Sequence, residues 1–161
     1  MWTYSVSTIF RTVFILIHFN SIFSFSVILD DISEEFLMKY HIYNILGKGA
    51  YGIVKKGISK VTKDEVAIKM YDLRKMSTRA KDSIVREVQI LQEFNHPNIV
   101  RAIDSYRDVN RFYFVMQLVV GGELLERISK RVRYTEKEAR GLVRKLLETI
   151  KYIHDHNIVH R

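Results

Sequence analysis

The chain has no cysteine, so disulfide frameworks, thiolate metal sites and cysteine nucleophiles are excluded, and nothing argues for an oxidising compartment. Its stability has to come from a packed core. There is one proline, Pro97, and there is no internal repeat, no low-complexity segment and no linker between residues 40 and 161. Charge is missing from one stretch altogether. Among residues 1–29, rich in Phe, Ile and Ser, Arg11 is the only formally charged side chain, and none occurs from Thr12 to Leu29. A run of that length has the dimensions of a signal-peptide core or a marginal membrane span. His18, Asn20, Ser21, Ser24 and Ser26 interrupt it, no clean small-residue cleavage site follows, and Asp30, Asp31, Glu34 and Glu35 come next. With Arg11 before the run and acids after it, the positive-inside rule would put the rest of the chain outside the cytosol. A non-native leader therefore ranks first for residues 1–29, an anchor or signal second and a packed extension last. Residues 30–39 read as an acidic linker.

What is present has globular composition: 161 residues, 47% hydrophobic and 27% charged, enough for one domain. The net charge of +8 raises nucleic acid or an anionic membrane as partners. The basic residues are scattered, however. Lys137, Arg144 and Lys151 share a helix face with Glu148, the pattern of a solvated surface, so no nucleic-acid partner is expected. Membrane attachment rests on residues 1–29 alone.

Strand-like runs cover Tyr40–Leu46, Lys55–Lys60, Glu65–Met70, Ile99–Tyr106 and Phe112–Val120. Val61 to Asp64 supply turn chemistry between the second and third. Ser77 to Phe94 have helical period, with Ile84, Val88 and Leu91 on one stripe, and Asn95-His96-Pro97-Asn98 stop that helix. Gly121-Gly122 end the last strand. A short helix from Glu123 and a long one over Glu136–His154 follow, the latter opened by the capping box Thr135-x-x-Glu138.

Gly47-Lys48-Gly49-Ala50-Tyr51-Gly52-Ile53-Val54 contains a G-x-G-x-x-G, a weak signal by itself. In a dinucleotide fold such glycines would end a strand and open a helix; here strand follows strand, so they sit at the bend of a β-hairpin, where bare backbone N–H groups can approach phosphate oxygens. No Gly-Lys-Ser/Thr follows at the spacing a Walker A loop requires. Lys69 shares a strand face with Ala67, opposite Val66, Ile68 and Met70. A lone strand lysine is usually a solvated edge residue. Glu87 changes that reading, because it occupies the apolar stripe of Ile84, Val88 and Leu91 and must meet a cation if it turns inward. Lys69, 18 positions earlier, is the candidate. A Lys–Glu pair beneath a glycine hairpin would hold an ammonium where it meets phosphate oxygens during transfer.

Gly47–Val54, Val66-Ala67-Ile68-Lys69 and Glu87, in this order and spacing, resemble the protein-kinase signature set. The resemblance spans about Tyr40 to Arg161. Tyr113 to Leu124 resemble the fifth strand, gatekeeper and hinge, and Tyr152 to Arg161 resemble the end of the long large-lobe helix and the first two residues of the His-Arg-Asp catalytic loop. Met116-Gln117-Leu118-Val119, the Gly-Gly-Glu-Leu-Leu-Glu-Arg-Ile run and Tyr134-Thr135-Glu136 are most similar to the calcium/calmodulin-dependent kinase group.

The resemblance implies an α+β fold: a complete β-rich small lobe, a five-stranded antiparallel sheet plus one helix over residues 40–120, and the first helices of an α-helical large lobe over 121–161. It implies ATP as the nucleotide, held by the hairpin from Gly47 to Val54, by Leu46, Val54 and Ala67 covering the adenine, by Met116 as gatekeeper and by the backbone of Gln117 to Val119. Lys69 and Glu87 are its catalytic pair. Glu123 would reach the ribose or a basic residue of the substrate, or serve simply as a helix N-terminal acid. A protein substrate with basic residues near its target Ser/Thr is implied, in the cytoplasm, with attachment through residues 12–29 as the alternative. Calmodulin would act only through a downstream segment, and magnesium only in a full-length protein. The catalytic aspartate would follow Arg161, so this chain is expected to bind ATP without completing transfer, and no metal ligand is assigned in it.

The long helix carries a packing consequence. Ala139, Leu142, Val143, Leu146, Ile150 and Ile153 form an apolar stripe on it. The large side chains of the stripe represent roughly 10 kcal/mol of burial, and left uncovered they would make the chain poorly soluble or lead it to bind a partner.

Overall fold

The computed structural model describes residues 32–49, 52–121 and 133–159. Five strands form one antiparallel sheet: β1 (Tyr40–Gly49), β2 (Gly52–Ser59), β3 (Glu65–Asp72), β4 (Ala102–Arg107) and β5 (Arg111–Gln117), in the order β1-β2-β3-β5-β4. Among the described residues, three α-helices accompany them: α1 (Glu34–Lys39), α2 (Thr78–Glu93) and α3 (Glu136–Asp155), with one 3-10 turn at Leu73–Lys75. This is the α+β arrangement expected, with the long α2 inserted between β3 and β4. The leader of residues 1–29 and the short helix expected from Glu123 lie outside the described residues. Among the described residues, no helix is long and apolar enough to cross a membrane.

Alternation along β3 separates two apolar clusters, because successive side chains leave a strand on opposite faces. Val66, Ile68 and Met70 join Tyr113 and Val115 of β5 on the face that we call the back. Ala67 and Tyr71 join Phe114 and Met116 on the front, together with Ile84, Val88 and Leu91 of α2. The inward stripe of α2 is the one its sequence period indicates, and Ser77 caps the helix by accepting from the Ala80 amide at 3.3 Å.

The back is closed by α1, a helix where the acidic composition suggests a linker. Phe36 is completely buried. Its ring stacks on Tyr113 at 4.4 Å and on Tyr40 at 5.0 Å, and meets Tyr106 edge-on at 5.4 Å. Burying one such ring stabilises by about 2–3 kcal/mol. Polar bonds fix the same place: the Tyr113 hydroxyl accepts from the Ser33 amide at 3.2 Å and donates to Asp108 at 3.0 Å. Asp108 in turn accepts from the amides of Asn110 and Arg111, tying down the β4–β5 turn. Acidic residues and a helix are compatible here because Ile32, Phe36 and Tyr40 recur at four-residue spacing.

The capping box on α3 is complete. Thr135 Oγ1 accepts from the Glu138 amide at 3.2 Å and the Glu138 carboxylate accepts from the Thr135 amide at 3.0 Å. Among the described residues, it is the far end of this helix that docks on the front cluster. Ile153 and Ile158 enter the front cluster, and Tyr152 packs on Phe94 and His96 while its hydroxyl accepts from the Asn95 amide. Of the expected apolar stripe, Ile153 is buried, Ala139, Leu142 and Ile150 are half-buried, and Val143 and Leu146 are exposed at 52% and 47%. Lys137, Arg144, Glu148 and Lys151 all face solvent, with Arg144 paired to Glu148 and Lys151 to Asp155.

Candidate functional site

The glycine segment is a hairpin. Gly47 pairs with Val54, Lys48 with Ile53 and Gly49 with Gly52, and Ala50 and Tyr51 lie outside the described residues. Gly49 and Gly52 differ. A Cβ on Gly52 would collide with the Met70 carbonyl group of β3, so this position needs glycine for strand contact. A Cβ on Gly49 would meet the Gly52 carbonyl oxygen at 3.8 Å, an ordinary contact, so the described neighbours do not require glycine there. Lys48 is exposed there.

Alternation sorts the remaining hairpin residues. Val54 is buried in the front cluster with Ala67 and Met116, and Leu46 packs against them. Ile53 packs instead on the back cluster, so only its backbone is available to a front-face ligand. The register places Lys69 between Val54 of β2 and Phe114 of β5, two residues along from the Ala67–Met116 pair and on the same face. Leu46, Val54, Ala67 and Met116 thus make an apolar patch beside the stem of Lys69. Beyond β5, the Gln117 amide donates to the Arg101 carbonyl at 3.0 Å. The expected backbone contacts of the hinge therefore narrow to the Gln117 carbonyl and to Leu118 and Val119, where Leu118 also packs on the front cluster.

Lys69 and Glu87 are brought together. Glu87 is only 8% exposed, on the inward stripe of α2. Partial burial pushes the Lys69 ammonium below the ordinary lysine range, and the Glu87 carboxylate opposes that shift, which requires the two charges to lie within electrostatic reach. A third side chain, absent from the sequence-based site, completes the group. Tyr71 follows Lys69 by two residues on the same strand face, and Lys69 Nζ stands 4.9 Å from the centre of its ring. The signal that finds it is the strand period itself, continued past Met70, where the sequence pattern places the strand's end. Burial, and then the Glu87 charge, drive the Tyr71 phenol far above its usual range. Glu123 lies outside the described residues, and no cluster of His, Asp or Glu suited to a metal ion occurs among the described ones.

The front face of the sheet thus carries a glycine hairpin at its edge, an apolar patch, and a lysine within electrostatic reach of an inward carboxylate. The family model for the protein kinase domain matches residues 40–161. The chain belongs to the protein kinase family. It is 40% identical over 130 residues to a probable serine/threonine-protein kinase, fhkD, of Dictyostelium discoideum, covering 80% of this chain and 17% of that protein. It is 39% identical to calcium/calmodulin-dependent protein kinase type 1 of Macrobrachium nipponense, covering 76% of this chain and 36% of the relative. For the type II alpha chain of Drosophila melanogaster the identity is 40%, with 79% of this chain and 24% of the relative covered. Among solved structures, Rad53 residues 1–466 in complex with AMP-PNP superposes with a TM-score of 0.66 at 36% identity, over 78% of this chain and 33% of that one. The chain thus spans well under half the length of these relatives.

Proposed function

We propose that the front face of this chain binds ATP, and that the protein of which it forms the small-lobe side is a serine/threonine kinase of the calcium/calmodulin-dependent group. In this reading Leu46, Val54, Ala67 and Met116 cover the adenine. The Gln117 carbonyl with the Leu118 and Val119 backbone holds the adenine edge. The backbone from Gly47 to Gly52, Ala50 and Tyr51 included, lies over the phosphates, and Glu123 takes the ribose or a basic residue of the substrate. Lys69, steadied by Glu87, meets the phosphate oxygens and stabilises charge there. The AMP-PNP of the Rad53 complex is a property of that protein, but it is consistent with this assignment. The observation that carries the reading is the inward Glu87 facing Lys69 on the same sheet face as the apolar patch.

ATP with magnesium, a protein substrate with basic residues near the target Ser/Thr, and a cytoplasmic location belong to this proposal for the whole protein. Calmodulin regulation of the whole protein belongs to the same proposal, on the likeness to calcium/calmodulin-dependent kinases. The substrate-orienting aspartate is not assigned within this chain, so the function to be tested in it is binding. Calorimetric titration of the chain with AMP-PNP should give saturable binding, and Lys69→Met should weaken it at least about tenfold, equal to about 1.4 kcal/mol. No saturable binding, or binding undiminished by Lys69→Met, overturns the reading.

A second reading, a non-catalytic interaction module, is favoured by one observation: Val143, Leu146 and Leu147 form an exposed apolar run on α3. Sedimentation of the chain as a stable monomer over a broad concentration range counts against it.

A further inference from the structure

Tyr71 packs in the front cluster beside the Phe112 ring, and its hydroxyl adds nothing to that packing. Its side chain is 3% exposed, and its hydroxyl is buried with no hydrogen-bond partner among the described residues. A buried hydroxyl without a partner is unfavourable, so the hydroxyl is not what fits tyrosine to this position. The ring is differently placed. The Lys69 ammonium stands 4.9 Å from its centre, inside the range in which an aromatic face attracts a cation. The described neighbours of Lys69 include Val54 and Phe114, which flank it across the sheet and bring no charge, Ala67 and Tyr71, which share its face of β3, and Glu87, which comes from α2.

We propose that Tyr71 is a positioning residue for the nucleotide site: its ring face holds the Lys69 ammonium toward the phosphate position and shares with Glu87 the stabilisation of that cation. The inference rests on the ATP-binding reading for its purpose but not for its test. Glu87 is one anchor, from a helix that packs on the sheet; Tyr71 is the other, from the same strand as the lysine. A cation held from two sides has one preferred position, whereas a lysine stem of four methylenes held by a single carboxylate has several. The ring also supplies attraction without a second negative charge, which would compete with phosphate for the ammonium.

The test is the pH profile of Lys69 acylation in the 161-residue chain, read by mass spectrometry, because the rate follows the unprotonated amine. Tyr71→Phe keeps the ring face and should leave the apparent Lys69 pKa unchanged, while raising the melting temperature by removing the unpartnered hydroxyl. Tyr71→Leu should lower that pKa by about one unit, as the ring no longer favours the charged form. Replacement of Tyr71 by pentafluorophenylalanine keeps the shape and reverses the charge distribution of the ring. It should lower the pKa at least as far, and it decides the matter should the leucine variant fail to fold. An unchanged pKa in the fluorinated variant, or a fall in Tyr71→Phe as large as in the fluorinated one, overturns the proposal. Protection of Lys69 by AMP-PNP in the unaltered chain is read in the same experiment. Its absence would overturn the nucleotide reading while the pattern across the variants still decides the role of Tyr71.

Discussion

The two faces of the sheet are built from alternate residues of the same strands, yet they do different things. On the back, Val66, Ile68, Met70, Tyr113 and Val115 are sealed by Phe36 of α1, and the polar groups at the rim are bonded in a chain from the Ser33 amide through the Tyr113 hydroxyl to Asp108. On the front, the same strands carry Ala67, Lys69 and Tyr71 beneath an inward carboxylate. An apolar, aromatic face gains from burial without having to satisfy a charge. A face with a partly buried ion pair gains little or nothing in stability, because desolvation offsets attraction. The difference teaches that the back is held by apolar and aromatic packing alone, whereas the front, whose apolar cluster is the larger, also carries a charge pair that packing does not call for.

The largest effect should come from breaking the back. Phe36→Ala removes a wholly buried ring and should cost about 3–5 kcal/mol of stability in denaturant unfolding, while AMP-PNP affinity of the folded fraction changes less than about twofold. Next comes the strand contact between the faces. Gly52→Ala places a methyl against the Met70 carbonyl group and should cost about 1–3 kcal/mol. It should also weaken AMP-PNP, because displacing β2 moves the hairpin.

Alkaline pH sharpens the comparison, since Lys69 of the front and Tyr40 and Tyr113 of the back respond with opposite sign, while Tyr71 of the front follows the other two tyrosines. The Tyr40 and Tyr113 phenols are pushed up to about 12 from 10.0, burial being the main cause and Asp104 and Asp108 respectively adding to it. The fold keeps protons that the unfolded chain releases near pH 10.0, so this part of the stability is present below that pH and is lost as pH rises to about 12. At Lys69 the folded value is lowered, so the unfolded chain binds the extra proton and stability rises as pH approaches 10.5. Melting temperatures across this range should therefore fall less steeply in Tyr40→Phe and more steeply in Lys69→Met than in the unaltered chain. The smallest effect belongs to neither face. Thr135→Ala removes the cap of α3 at the end away from the sheet and should cost about 1 kcal/mol, with AMP-PNP binding unchanged.

Much of the front face is legible in the sequence because it rests on periods. The stripe of Ile84, Glu87, Val88 and Leu91, the alternation of Lys69 against Val66, Ile68 and Met70, and the Thr135–Glu138 box are local patterns, and each has a local physical cause. Boundaries are less legible. The hairpin strands run on to Gly49 and Gly52, because the glycines pair across the bend. β4 begins at Ala102, since the Ile99 amide is taken by the His96 carbonyl in the preceding turn. β5 ends at Gln117, where the chain is tied to Arg101, three residues before the expected Val120. The back closure escapes a sequence reading because four acids between residues 30 and 35 outweigh the spacing of Ile32, Phe36 and Tyr40. What Phe36 meets, Tyr113, lies far along the chain, and no local pattern reports such a contact.

The most direct test is to replace the front-face pair by apolar residues of similar size, Lys69→Met with Glu87→Leu. If apolar packing on the two faces holds the fold and the front pair serves a nucleotide, the double variant should unfold within about 1 kcal/mol of the unaltered chain or be more stable, and it should lose AMP-PNP binding in calorimetry. A double variant that still binds AMP-PNP with unaltered affinity, or one destabilised as severely as Phe36→Ala, would contradict the account.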